Sequence, residues 1–130
     1  MSAIARNRNI VALVAGSVAY VVILFRFLSY SERNKLPGDV YLTFAAVALV
    51  IGFAVTLPAT TRRYQTAGFV LLGVCLAHLL VIVADYQQDP TTHNLLPFEF
   101  VILCVITAPA YAGVGIAHLV DIISKRSARA

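Results

Sequence analysis

The chain has 130 residues, 60% hydrophobic and 12% charged, with a mean hydropathy of +0.85 and a formal charge of +4. So apolar a balance excludes an ordinary soluble domain, because too little polar surface is left to cover a core. The basic residues lie at the ends of apolar runs rather than along one surface, which argues against nucleic acid as a partner.

Four apolar runs fill nearly the whole chain, at about 10–30, 41–58, 66–86 and 97–123. Each supplies about the 20 apolar residues that an α-helix needs to cross a bilayer. The expected fold is therefore all-α: an integral membrane four-helix bundle with short connectors, one transmembrane domain over 1–130.

The first run follows Arg6 and Arg8 and is longer than a signal-peptide core of about 7–15 residues. Phe27-Leu28-Ser29-Tyr30 offers no small-residue cleavage site, so an uncleaved span is expected. In the first connector, Pro37-Gly38 signals a turn and Asp39 is placed to cap the second helix. Pro58 ends that helix, and Arg62 and Arg63 then complement its negative C-terminal dipole. The third run carries Cys75, His78 and Asp85, and its connector holds Asp89 and His93. Pro97 suits the first turn of the fourth run, with Glu99 beside it and a kink expected at Pro109.

Orientation follows from the charges. Arg6, Arg8, Arg62, Arg63, Lys125, Arg126 and Arg129 gather on one side if the spans alternate, against Arg33 and Lys35 on the other. The positive-inside bias places both termini in the cytoplasm. Short connectors and basic inner turns fit the cell membrane of a bacterium, its inner membrane.

Small residues recur four apart in every span: Ala12 and Gly16, Ala48 and Gly52, Gly73 and Ala77, Gly113 and Ala117. That spacing lets helix backbones approach closely in lipid, so Gly16, Gly52, Gly73 and Gly113 are the expected packing sites. Gly73-Val74-Cys75-Leu76-Ala77-His78-Leu79-Leu80 matches Gly113-Val114-Gly115-Ile116-Ala117-His118-Leu119-Val120 at five of eight positions. A remnant of duplication would give such a match, and so would chance recurrence in apolar sequence.

Ionisable groups inside spans are costly, so each is a functional candidate. His78 lies near mid-span, and Arg26, Asp85 and Glu99 fall at similar depth near the outer face. These four are the candidates for an ion or proton pathway, with Arg26 pairing Asp85 as the structural alternative. For His78 the plainer role is a neutral imidazole bonded across a helix interface. His118, Asp121 and Lys125 share one helical face and can pair along it. A haem held by His78 and His118 of one chain is disfavoured, since their estimated depths differ by about 10 Å. Cys75 and Cys104 form no paired motif and are expected in the core.

No triad order, phosphate loop or zinc-protease motif appears, so no enzyme, cofactor or metal is expected. The first expectation is a non-catalytic subunit or organiser of a membrane assembly, its small-residue faces packing the helices of other membrane subunits. The alternative is a small homo-oligomeric transporter or channel for protons or cations, using Asp85, Glu99 and His78. A haem or quinone site at His78 is the weaker third.

Overall fold

The computed structural model describes residues 7–27, 38–57, 62–88 and 96–128. They form five helices: α1 (Arg8–Phe27), α2 (Gly38–Thr56), α3 (Arg63–Gln88), α4 (Leu96–Thr107) and α5 (Pro109–Ser127). α4 and α5 make one apolar segment, so four segments are long and apolar enough to cross a membrane: Arg8–Phe25, Gly38–Thr56, Arg63–Gln88 and Pro97–Ser127. α2 begins at Gly38, which puts Asp39 inside the first turn rather than at the cap. Its carboxylate still favours the positive end of the helix dipole.

The break at Ala108 follows from Pro109. Proline has no N–H to give the Val105 carbonyl. The amide of Ala108 instead bonds both the Cys104 carbonyl at 3.0 Å and the Val105 carbonyl at 3.2 Å. Ala108 keeps right-handed helical angles, φ −51° and ψ −35°, so the interruption lies in the hydrogen-bond ladder.

Two groups of contacts define the ends of the bundle. Arg8 reaches the Arg62 carbonyl, and Arg63 reaches His118 and Asp121, which gathers the starts of α1 and α3 with the end of α5. We refer to this as the termini end. At the far end, Tyr20 of α1 meets Phe44 of α2 and His78 of α3, and His78 meets Glu99 of α4. Successive segments therefore run in opposite directions.

The packing is inverted relative to a protein in water. Many large side chains point outward, with Leu42 and Leu80 each 73% exposed, while Ala12, Ala67, Ala110 and Val114 are fully buried. Small residues inside and large ones outside suit helices that associate by close backbone approach rather than by hydrophobic drive.

That approach is made at four glycines. A methyl at Gly16 would overlap the Val70 carbonyl, and one at Gly73 the Leu13 carbonyl, so α1 and α3 are clasped there. Gly52 against Ala110 and Gly113 against Leu49 form the same clasp between α2 and α5. α1 packs most extensively on α3, and α2 on α5. The register is identical: each glycine faces the residue three before its partner's glycine. The sequences agree as well, Ala12-Leu13-Val14-Ala15-Gly16 with Ala48-Leu49-Val50-Ile51-Gly52, and the two His-containing octets with each other. The match between those octets thus has a structural counterpart. One helix-pair unit occurs twice, in opposite orientations.

Candidate functional site

The far-end site grows out of the α1–α3 clasp. One turn beyond Gly16, Tyr20 faces the same layer as His78, which lies five residues beyond Gly73. Ser17 donates to the Gly73 carbonyl at 2.8 Å and fixes this register. The Tyr20 hydroxyl lies 2.7 Å from His78 Nδ1, and Nε2 of the same ring lies 2.9 Å from Glu99 Oε2. Tyr20 is 7% exposed and His78 is 7% exposed, whereas the Glu99 side chain retains 23%. Edge-on contacts from His78 to Tyr20 and Phe100, at 5.7 and 5.3 Å between centroids, hold the imidazole plane.

This geometry determines the proton positions. With Glu99 as a carboxylate, Nε2 carries a hydrogen. Nδ1 then either accepts from the Tyr20 hydroxyl or, in the imidazolium, donates to it. Both states keep every bond, so a proton can enter the ring from one side and leave on the other without rearrangement. Hydrogen bonds involving a charged partner contribute about 1.5–3 kcal/mol each, enough to offset much of the cost of an ionisable group in this setting.

Of the pathway candidates, His78 and Glu99 are brought into direct contact. Asp85, two turns beyond His78 on α3, is buried at 5% exposure. Arg26 belongs to α1, but its side chain lies outside the described residues, as do Asp89 and His93; the expected Arg26–Asp85 pairing therefore falls outside them too. Among the described residues, no group of three or more His, Cys, Asp or Glu side chains is arranged to hold a metal ion. Both His78 ring nitrogens are engaged within the chain, which leaves no lone pair directed at a haem iron.

A second polar cluster occupies the termini end. Arg63 is 8% exposed and does not serve the end of α2; it is the first residue of α3 and reaches across to α5. Its Nη1 lies 2.7 Å from His118 Nδ1 and its Nη2 lies 2.5 Å from Asp121 Oδ2, while Lys125 Nζ holds the same carboxylate oxygen at 2.8 Å. A guanidinium at a helix N-terminus opposes the dipole, and Asp121 offsets that cost. Arg62, with a left-handed φ of 50°, turns the chain into α3 and offers its carbonyl to Arg8 at 3.2 Å. His118 and His78 consequently sit at opposite ends, with fifteen residues of α3 between Arg63 and His78, about 22 Å rather than 10 Å. The larger separation follows from the contact of His118 with Arg63, by which the last turns of α5, to Ser127, run past the start of α3.

Two residues of these sites escaped the sequence reading. Tyr20 is a tyrosine well inside the first run, and its hydroxyl, in need of a partner there and in step with Ala12 and Gly16, is the available signal. Arg63 read as a connector charge, although the His118–Asp121–Lys125 face at the same end could have marked its destination. The cysteines are not core residues: Cys75 is half-buried and Cys104 exposed. Compared with known proteins, the chain matches no family model, no curated protein and no solved structure.

Proposed function

We propose that the chain is a multi-pass membrane protein that passes protons, with Tyr20, His78 and Glu99 as its far-end relay. The observation that carries this reading is the imidazole bonded on both nitrogens, by a partly exposed carboxylate on one side and a buried phenol on the other. When Glu99 is protonated at the rim and the ring proton is on Nδ1, the carboxyl passes its proton to Nε2 as the Nδ1 proton leaves toward Tyr20, which returns the carboxylate and the Nε2-protonated ring. Asp85, buried two turns beyond His78, adds a carboxyl on the same helix. The cavity beside Tyr20, about 20 Å³ and lined by Ile23, Leu24, Val40, Tyr41, Phe44 and Ile106, has room for about one water. The termini end, with Arg8, Arg62, Arg63, Lys125 and Arg126, faces the cytoplasm, the expected side in a bacterial inner membrane.

The accessory-subunit reading relied on small-residue faces open to partner helices. Those at Gly16, Gly52, Gly73 and Gly113 are taken up within the chain, which weakens its support. Proton flux into vesicles of the purified chain, driven by a potassium diffusion potential and read by an enclosed pH dye, tests the proposal. His78→Gln keeps an amide hydrogen bond but cannot relay, and should cut flux at least about tenfold with thermal stability retained. Flux that is absent in the parent chain, or unchanged in His78→Gln, refutes it.

A further inference from the structure

The repeated clasp carries a histidine to each end of the molecule. His78 follows Gly73 by five residues and His118 follows Gly113 by five. Since α3 and α5 run in opposite directions, the two equivalent rings are delivered to opposite ends. Each then meets the first turn of a helix in the other clasped segment, His78 at Glu99 and His118 at Arg63.

The two partners differ in sign, and so does the proton chemistry. A guanidinium has donors only, so Arg63 Nη1 donates and His118 Nδ1 accepts. The His118 ring in this arrangement is neutral, with its proton on Nε2. His78 beside Glu99 can carry a second proton with all its bonds kept, whereas His118 can take one only by giving up Arg63.

We infer that His118, with Arg63 and Asp121, is the exit site of the relay proposed above, on which this inference rests. An arriving proton bonds to Nδ1 and breaks the bond from Arg63 Nη1. Arg63 stays on Asp121 through Nη2. The imidazolium releases its Nε2 proton to water, and exchange with water moves the remaining proton from Nδ1 to Nε2, which returns the Nδ1 lone pair to Arg63. One proton arrives and one leaves, with no other reactant. The charged groups around this ring among the described residues are Arg8 on α1, Arg62 and Arg63 at the start of α3, and Asp121, Lys125 and Arg126 on α5. Among the described residues, the last turn of α2 brings no basic side chain to this end.

Three further hydroxyls, Thr107, Thr66 and Thr56, are each at most 1% exposed and have no hydrogen-bond partner among the described residues. Thr107 is eight residues past Glu99, about 12 Å along α4, and Thr66 is three past Arg63. Leaving such groups unpaired costs about 1–3 kcal/mol apiece. A hydroxyl both accepts and donates, so each is a polar position in an otherwise apolar interior.

The test uses the full chain in vesicles, inserted in one orientation, with pH set separately on each side. His118→Gln should lower flux about tenfold and remove its dependence on pH at the termini side, while dependence on far-side pH remains. Nitrogen-15 spectra of the parent chain should show His118 protonated on Nε2 alone, and Arg63→Gln should give a mixture of tautomers. Flux and termini-side pH dependence that survive in His118→Gln, while His78→Gln still abolishes flux, overturn this inference and leave the relay standing. A His118 ring protonated on Nδ1 in the parent chain also overturns it. A parent chain that passes no protons brings down both.

Discussion

Replacing Gly73 by alanine tests the clasp in its simplest form. The new β-carbon would stand 2.9 Å from the Leu13 carbonyl carbon and 3.1 Å from its Cα, all backbone atoms that no rotamer can move aside. Carbon atoms pack best at about 3.5–4.0 Å, so α1 and α3 must part by roughly 1 Å along the crossing. Overpacking of this kind costs about 1–3 kcal/mol, and the middle of that range shifts the unfolding equilibrium roughly 30-fold. Alanine also gains about 1 kcal/mol of helix propensity over glycine, which would mask part of the loss. Gly115→Ala supplies the correction, because a methyl there meets nothing within 4 Å and shares the propensity gain. Detergent-driven unfolding of the two variants, followed by circular dichroism, should separate them by about 1–3 kcal/mol. Equal stability would refute the argument that backbone contact, rather than helix content, is what Gly73 provides.

The polar sites give two further expectations. Tyr20→Phe keeps the ring contacts to Phe44 and His78 but removes the hydroxyl from Nδ1. It should cost about 0.5–1.5 kcal/mol and reduce proton flux more than its small stability loss explains, as read in the same vesicle assay. Asp121→Asn releases both Arg63 and Lys125 from one carboxylate. Its thermal midpoint should fall, and the loss should shrink at high salt more for the exposed Lys125 arm than for the buried Arg63 arm, measurable by combining it with Lys125→Ala.

Much of the architecture could be read from the chain because length and apolarity alone set it. The expected runs at about 10–30, 41–58, 66–86 and 97–123 coincide with α1, α2, α3 and the joined α4–α5 to within a few residues. The glycines of the small-residue pattern are the ones where backbones touch. Pairing of the helices was not legible, because Ala12 and Gly16 create a face that fits any similar face and carries no address. His78 was visible as a costly residue, but the identity of its partners depends on the α1–α3 register, fixed by contacts 56 and 58 residues apart in sequence. Arg63 was misplaced for a related reason. A charge next to an apolar run looks like a boundary mark whether its long side chain turns to water or folds back across the bundle.

The clasps join α1 to α3 and α2 to α5, never one segment to the next in sequence. During synthesis from the N-terminus, Gly16 must wait until Val70 and Gly73 have been made, and Gly52 until Ala110 and Gly113. No leading fragment that ends before α3 can cover either glycine face. The molecule is therefore committed to late assembly: its first hairpin is a holding state, and closure comes as two events, with the second requiring almost the entire chain. A cell could tell finished from unfinished copies by those uncovered glycine stripes alone.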